Sequence, residues 1–378
     1  MSNPAAGVVR APAEKVYAEE LAALAANDKG AKPVGWKLSP RAVRQFITGS
    51  DSPMAVEVGG KRRKVAITQK FYGDEALVER CIVTLLGSRG LLLVGEPGTA
   101  KSMLSELLAS AISGTSMLTV QGTAGTTEDQ IRYSWNYAML LAEGPSPRAL
   151  VPSPLYQGMR MGAVVRFEEM TRCQPEIQDV LVSLMSDKCI QVPELGGADG
   201  VVFAAKGFNL IGTANLRDRG VHEMSGALKR RFNFETVVPL SDKSQELALV
   251  RAQTEVLLRD SAVEVETPEE VLDLLVTTFQ DLRLGRTAEG TVIEKPSTVM
   301  STAEAVAVSH SAALEAAHFG NGRVEGGHVA RQILGTILKD NPDDAPKLRN
   351  YFEVVAKVRG RTSAAWQQFY EARKSLRP

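Results

Sequence analysis

Short apolar runs alternate with amphipathic segments of helical period from about residue 71 to residue 240. The apolar runs are LLLVG, SMLTV, AVVRFEE, FNLIGTAN and FETVVPL. Strands that alternate with helices in this way pair in parallel, and the helices cross over between them. With the segment that precedes it, this pattern predicts an α/β core with a parallel sheet over residues 36–240.

The pattern changes on both sides of this core. After residue 240 the strand-like runs stop and amphipathic helices follow, one of them with a capping-box start at Ser301. We predict a helical lid domain over residues 241–345 and C-terminal helices over residues 346–378. Residues 1–35, rich in alanine and polar residues, are predicted to be an N-terminal appendage with one short helix.

Composition and charge exclude several classes of protein. The 378 residues carry 44 basic and 44 acidic side chains, so no net charge draws the chain to nucleic acid or to an anionic membrane. Cys81, Cys173 and Cys189 are too scattered for a thiolate-rich zinc site. No apolar run approaches the ~20 residues that span a bilayer, and the first residues lack a secretion signal. We therefore expect a cytoplasmic protein with no nucleic-acid partner and no membrane insertion.

A glycine-rich segment joins the strand LLLVG to an amphipathic helix. It fits the phosphate-loop pattern GxxxxGK[ST], except that alanine replaces the last glycine. Its residues are Gly95, Glu96, Pro97, Gly98, Thr99, Ala100, Lys101 and Ser102. In this pattern backbone N–H groups surround phosphate oxygens, the lysine reaches the β- and γ-phosphates, and the hydroxyl binds Mg²⁺. The segment therefore predicts a site for ATP and Mg²⁺.

Alanine at position 100 is compatible with this motif under one condition. If the residue has right-handed helical dihedrals, its Cβ meets no steric penalty, and alanine gains roughly 1 kcal/mol of helix propensity over glycine. The alternative interpretation is a glycine-rich turn with an incidental lysine. The strand before the segment and the helix after it favour the phosphate loop.

Two carboxylates end the apolar strand in AVVRFEE. Ligands gather at the carboxyl ends of parallel strands. There we predict that Glu168 belongs to the metal shell, through water, and that Glu169 polarises the attacking water. Aspartate is the usual residue at the first position, and Arg166 interrupts the apolar run. An acidic pair at the protein surface is the alternative interpretation.

Polar residues beside two further strands suit the same chemistry. Asn215 ends the strand FNLIGTAN, and its amide can both donate hydrogen bonds to the attacking water and accept them from it. Arg230 and Arg231 end a short helix, where a guanidinium delivered from a neighbouring subunit would stabilise the developing phosphoryl charge. The alternatives are an asparagine that caps a turn and arginines favoured by the helix dipole.

The order of these motifs resembles the MoxR-like branch of the AAA+ ATPases, from about KFYGDEALVER to at least STAEAVAVSHSAAL. The most specific segments are GEPGTAKS, PLYQGMRMGAVVRFEEMTRCQPEIQDVLVSLMSDK and ALKRRF. The resemblance implies an AAA+ P-loop αβα core with a parallel sheet, followed by an all-α lid domain. It also implies a helix-two insert over about residues 126–160 and a hairpin insert over about residues 190–207, both facing the central pore or a partner.

The same resemblance assigns roles to individual residues. Lys101 and Ser102 contact the phosphates and the metal, and Glu168 also serves the metal. Glu169 is the catalytic base. Asn215 becomes the first of the family's two sensor residues.

Other roles concern the subunit boundary, the adenine and the lid. Arg231 is the first candidate for the arginine that acts on a neighbouring subunit, and Arg230 is the second. Tyr72 and Gly73 match the adenine-side contact. The family usually has a second sensor arginine in a Ser-Pro-Arg pattern at the start of a lid helix, but KPSTVMSTAEAV contains none. Arg286 is one candidate to replace it.

The resemblance implies an ATPase that forms a homo-oligomeric ring, a hexamer, and remodels, activates or helps assemble a protein partner in a chaperone-like way. Proteins with von Willebrand A-type domains are partners in this family. The alternatives are an ATP-gated assembly scaffold with slow hydrolysis and a metal-chelatase-type motor subunit. A motor on nucleic acid is disfavoured because the chain has no C-terminal helix-turn-helix pattern and no basic–aromatic pattern.

Overall fold

The chain folds as two units. The computed structural model describes residues 9–58, 61–215, 220–339 and 341–375. The first unit is Met1–Gly95 with Ala100–Val237, and the second is Glu96–Thr99 with Val238–Pro378. The change of unit after Val237 lies next to the point where the strand pattern ends in the sequence.

The first unit contains all the strands of the described residues. Its helices are α1 (Ala13–Val16), α2 (Ala18–Asn27), α3 (Pro40–Thr48), α4 (Glu75–Leu86), α5 (Lys101–Ser113), α6 (Glu128–Ile131), α7 (Tyr137–Glu143), α8 (Pro154–Met161), α9 (Pro175–Asp187) and α10 (Gly226–Lys229). Its strands are β1 (Met54–Val58), β2 (Lys61–Val65), β3 (Gly90–Val94), β4 (Thr119–Gln121), β5 (Tyr133–Trp135), β6 (Leu150–Pro152), β7 (Val164–Glu168), β8 (Cys189–Gln191), β9 (Val201–Phe203), β10 (Asn209–Ala214) and β11 (Phe232–Thr236). Short 3₁₀ turns cover Met170–Arg172 and Gly197–Gly200.

Five of these strands form one sheet in the order β11-β3-β10-β7-β4. Every pairing in it is parallel. All residues of β3, β7 and β10 are buried, as expected for the centre of a sheet covered on both faces. The predicted parallel sheet is therefore confirmed, and its strands are the five apolar runs. Because the strands are parallel, the residues that follow β3, β7 and β10 meet at one edge.

Helices cover both faces of this sheet. Successive side chains of a strand point to opposite faces. Leu91 and Leu93 of β3 pack in one hydrophobic cluster with residues of α3, α4 and α5. Leu92 and Val94 pack in a second cluster with residues of α8 and α9. The result is the three-layer αβα arrangement that the sequence predicts.

The N-terminal helices belong to the core of the first unit. Ala23 and Leu24 of α2 are buried in the same cluster as α5. Glu14 accepts hydrogen bonds from the N–H and the hydroxyl of Ser116, at 3.1 and 2.7 Å. Glu106 of α5 accepts one from the N–H of Ala13 at 3.0 Å. The described part of the segment predicted to be an appendage, from residue 9, is thus a packed element.

Two inserts interrupt the alternation of strands and helices. Between residues 126 and 160, β5 and β6 pair in an antiparallel ribbon, and α7 lies between them in the sequence. None of the α7 residues is buried. Between residues 189 and 203, β8 and β9 form an antiparallel hairpin.

The second unit is helical. Its helices are α11 (Lys243–Asp260), α12 (Glu269–Leu284), α13 (Thr302–Phe319), α14 (Gly326–Leu338), α15 (Ala345–Tyr351), α16 (Lys357–Arg359) and α17 (Ala364–Glu371). A π-helical turn covers Phe352–Ala356, and 3₁₀ turns cover Pro342–Asp344 and Ala372–Ser375. Ser301 caps α13 as predicted, because its Oγ accepts a hydrogen bond from the N–H of Glu304 at 3.3 Å.

These helices also bear on the prediction about membranes. The longest are α11 and α13, with 18 residues each. Within the part of the chain that the structure describes, no helix is long and apolar enough to cross a membrane.

Candidate nucleotide-binding and hydrolysis site

The phosphate-loop segment forms a compact turn between β3 and α5. Gly98 has φ 76°, a left-handed conformation that glycine adopts without strain. The Thr99 hydroxyl donates a hydrogen bond to the carbonyl of Glu96 at 2.8 Å. Lys101 begins α5 and is only 6% exposed, and its Nζ donates to the carbonyl of Gly95 at 3.1 Å. The lysine ammonium therefore turns back to the start of the loop, as phosphate binding requires.

Ala100 does not have the conformation that the sequence analysis requires of it. Its dihedrals are φ 66° and ψ 21°, in the left-handed region, and it is the N-cap of α5. An L-residue other than glycine costs roughly 1–2 kcal/mol there, because Cβ approaches the carbonyl oxygen. The expectation of right-handed dihedrals is wrong. The backbone at position 100 has a conformation typical of glycine, although the residue is alanine.

Replacing Ala100 with glycine should therefore stabilise the nucleotide-free protein. We expect the free energy of unfolding to rise by about 1 kcal/mol, measured by urea unfolding of the full chain. Ala111, in the interior of the same helix, is the matched control. Ala111→Gly should lower the free energy of unfolding by about 1 kcal/mol or more, because glycine is a poor helix former. A loss of stability in both variants would contradict the left-handed conformation.

The carboxylate of Glu168 lies at the end of β7 and is buried. Its Oε1 accepts hydrogen bonds from Ser105 Oγ at 2.6 Å and from Arg166 Nη2 at 2.7 Å. Its Oε2 accepts from Ser102 Oγ and from Thr213 Oγ1, both at 2.7 Å. Burial raises the pKa of Glu168, but the guanidinium and the three hydroxyls outweigh it, so the pKa lies below its ordinary value. The group is an ionised carboxylate in contact with the predicted metal-binding hydroxyl.

Glu169 leaves the strand in a left-handed conformation, with φ 54°. Its N–H donates to Thr213 Oγ1 at 3.0 Å, and its carboxylate lies against Asn215, whose Nδ2 is 3.0 and 3.1 Å from the two oxygens. Arg172 Nε lies 3.4 Å from Oε2. Asn215 Oδ1 is buried and accepts no hydrogen bond from the described residues. The arrangement joins a carboxylate that can accept a proton to an amide oxygen that can accept a hydrogen bond from water.

The two arginines occupy different environments at the end of α10. Arg231 donates through Nε to the hydroxyl of Ser186 at 3.0 Å and through Nη1 to the carbonyl of Ala227 at 3.0 Å. Arg230 is exposed. Direct hydrogen bonds thus hold Arg231 to its own chain, whereas the surface presents Arg230.

The predicted adenine contact precedes α4. Tyr72 is half-buried, and Gly73 is exposed and has φ 138°. Asp74, the next residue, caps α4 by accepting a hydrogen bond from the N–H of Ala76 at 2.9 Å. The two residues therefore lie in the turn that leads into this helix.

An arginine other than Arg286 lies against the start of α13 in the second unit. Arg286 is exposed in the turn after α12. Arg283 donates to the carbonyl of Met300 at 2.7 Å and forms an ion pair of 2.7 Å with Glu246. The hydroxyl of Thr302 donates to the same carboxylate at 2.7 Å. Arg283 belongs to the preceding helix, α12, so the sequence at the start of the lid helix does not reveal it.

Three other residues of the site, Ser105, Thr213 and Arg166, are not predicted as functional, although their spacing in the sequence points to them. Ser105 follows Ser102 by three residues, so both lie on one face of α5. Thr213, in β10, precedes Asn215 by two residues, and the alternation of a strand continued by one residue places both side chains on one side. Arg166 was noted only as an interruption of an apolar run, yet it faces the same side of β7 as the carboxylate two residues later.

Comparisons with known proteins agree with this geometry. Residues 90–232 match the family described as the AAA domain of the dynein-related subfamily, and residues 244–377 match the YehL-like AAA+ ATPase C-terminal domain. The uncharacterized protein YehL of Escherichia coli strain K12 is 50% identical over 367 residues, 97% of each chain. The chain belongs to the YehL-like AAA+ ATPases.

Two more distant similarities concern other AAA+ proteins. MoxR of Paracoccus denitrificans is 26% identical over 127 residues, which are 34% of this chain and 36% of that protein. The Thermotoga maritima RuvB Holliday junction branch migration motor superposes with a TM-score of 0.41 at 14% identity, over 69% of this chain and 68% of that chain. The predicted MoxR-like AAA+ family is confirmed by the sequence matches. This YehL-like protein binds nucleotide and is an ATPase.

Proposed function

We propose that this YehL-like ATPase works as a homo-oligomeric ring, a hexamer, that spends ATP to remodel or activate a protein client. The observation that carries the proposal is helix α7 of the insert. Its Tyr137 and Leu141 are 71% and 89% exposed, and none of its residues is buried. Neighbouring apolar side chains at such exposure are typical of a surface that a protein partner covers. A protein with a von Willebrand A-type domain is the candidate client, on the basis of the resemblance.

Magnesium is the proposed metal because the hydroxyl oxygen of Ser102, which Glu168 at the end of β7 holds, suits it. The Ser102 hydroxyl donates to Glu168, so the lone pairs of the same oxygen can face a cation. Hydroxyl and phosphate oxygens suit Mg²⁺, which takes oxygen ligands. In the described residues, no group of three or more His, Cys, Asp and Glu side chains can hold a metal by itself. The phosphates would therefore complete the shell, and bound Mg²⁺ would neutralise their developing charge.

The proton and the attacking water are assigned to Glu169 and Asn215. Asn215 Nδ2 holds the carboxylate of Glu169, and its buried Oδ1 can accept a hydrogen bond from the water. Glu169 then takes the proton of that water as its oxygen bonds to the γ-phosphorus, and the bond from the γ-phosphorus to the bridging oxygen breaks to release ADP. In this proposal the Asn215 amide orients the water, and the Glu169 carboxylate accepts its proton.

An arginine from the neighbouring subunit completes the proposed site. Since the surface presents Arg230, we expect Arg230→Ala to assemble normally and to lower kcat by about 10³-fold, in the range of arginine fingers. The measurement is ATP turnover per subunit against protein concentration, with oligomer size recorded in parallel. Wild-type turnover per subunit should rise as the protein assembles.

Arg231→Ala is the matched comparison. It removes the same charge one residue away, and its guanidinium bonds to Ser186 and Ala227 of its own chain. A larger loss in this variant would assign the role to Arg231, as the family resemblance implies. If both variants and the wild type turn over ATP at the same slow rate at every concentration, the protein is a nucleotide-gated scaffold instead.

A further inference from the structure

A buried arginine connects β7 to the start of the phosphate-loop helix. The side chains of Arg166 and Glu168 are 10% and 7% exposed. Besides its 2.7 Å contact with Glu168, the guanidinium donates to Ser105 Oγ at 2.9 Å, to the carbonyl of Ser102 at 3.1 Å and to the carbonyl of Ser116 at 3.3 Å. One planar group therefore fixes the carboxylate, two positions of α5 and the segment before β4.

Stability alone does not account for this ion pair. Removing two charges from water is costly, and apolar residues of similar volume are often equally stabilising at such positions. The neighbouring residues of β7, Val165 and Phe167, are both apolar and buried. An apolar residue at position 166 would continue the strand without any charge, so the arginine needs a further reason.

The hydrogen bonds of Glu168 suggest that reason. Its two oxygens accept four donors, which fills the ordinary capacity of a carboxylate. A carboxylate held in this way cannot rotate. The hydroxyl of Ser102 donates to it at 2.7 Å, so the hydrogen of that hydroxyl is committed and its lone pairs are directed away from Glu168.

We infer that Arg166 is a positioning residue of the magnesium site, acting through Glu168 on the hydroxyl of Ser102. The inference rests on the proposed role of Mg²⁺. Two residues depart from the usual strand: an arginine lies in the apolar run, and glutamate stands in place of aspartate. The inference explains both departures together. Aspartate is one methylene shorter and would withdraw from these donors, whereas glutamate reaches all four.

The test separates metal-dependent binding from nucleotide binding itself. The dissociation constant of a fluorescent ATP analogue is measured in EDTA and in Mg²⁺, and the ratio of the two is the magnesium enhancement. For Arg166→Met we expect the dissociation constant in EDTA to stay within about threefold and the enhancement to fall about 10- to 100-fold, as for other residues that orient metal ligands. An unchanged or larger enhancement in a folded variant would overturn the inference.

Two further variants define what Arg166 supplies. Arg166→Lys keeps the charge but cannot make four directed contacts, so positioning predicts that the enhancement falls here as well. Full retention would show that charge suffices and would refute positioning.

Arg359→Met is the matched control, because it removes a half-buried guanidinium that contacts Asp281 at 2.7 Å in the second unit. Its magnesium enhancement should equal that of the wild type.

A comparison of a single and a double variant tests the inference if Arg166→Met fails to fold. Glu168→Asp alone should lose most of the enhancement, and Arg166→Val combined with Glu168→Asp should recover at least part of it. A double variant no better than Glu168→Asp would overturn the coupling. A wild type that binds the analogue equally in EDTA and Mg²⁺ would instead overturn the magnesium proposal, and the inference with it.

Discussion

Replacing Lys101 with alanine is expected to raise the dissociation constant for ATP by about 100-fold or more. A hydrogen bond to a charged group contributes about 1.5–3 kcal/mol, and this ammonium serves two phosphates in the proposed complex. The side chain is buried at the start of α5 and already bends back to Gly95. Little conformational change is therefore needed for it to reach the phosphates. Titration with a fluorescent ATP analogue measures the change directly.

The matched control for this variant is Lys357→Ala. Lys357 is exposed in α16 and pairs with Glu353. Its removal changes the net charge by the same amount and should leave ATP affinity within twofold, since isolated surface pairs contribute little. Retention of ATP affinity within a few-fold in folded Lys101→Ala would refute the phosphate cradle.

Glu169→Gln is expected to keep ATP bound while turnover falls by about 10²- to 10⁴-fold. Glutamine has nearly the shape of glutamate, and its amide oxygen can still accept the hydrogen bond from Asn215 Nδ2. It cannot accept a proton from water, so only the chemical step should change. Steady-state phosphate release measures turnover, and equilibrium binding of the ATP analogue checks that affinity stays within a few-fold.

Glu176→Gln controls for the loss of one carboxylate. Glu176 is exposed in the first turn of α9, and its replacement should leave turnover unchanged. Normal turnover in Glu169→Gln would place the base elsewhere, and Glu168 would be the first residue to test. Neutralising Glu168 has a second effect, because it also removes the ion pair with Arg166.

Local pattern was sufficient for most of the fold. The five apolar runs form the strands of the sheet, because burial on both faces favours continuous apolar residues, as in β3. The loop and the residues after β7 and β10 then meet at one edge, because parallel strands end there together. Ser102, Glu168, Glu169 and Asn215 are consequently linked by hydrogen bonds, directly or through Thr213, although they lie far apart in the sequence.

Local sequence pattern does not reveal partners that lie far apart in the sequence. In the sequence Arg166 only interrupts an apolar strand, because its partners, the hydroxyl of Ser105 and the carbonyl of Ser102, lie about sixty residues away. The N-terminal helices were read as an appendage because their carboxylates find partners, such as Ser116, about a hundred residues away. The prediction for Ala100 is wrong for a different reason: backbone sterics favour right-handed alanine, whereas the loop holds this residue in the left-handed region.

The buried pair of Arg166 and Glu168 also constrains how this sequence evolves. Breaking a buried ion pair by losing one partner costs about 3–5 kcal/mol, whereas exchanging both for an apolar residue and a shorter acid leaves no unpaired guanidinium. We therefore expect single substitutions at either position to be disfavoured and exchanges between the two combinations to involve both positions. Positions 166 and 168 should accordingly covary among relatives, and the mixed combinations should be the rare ones.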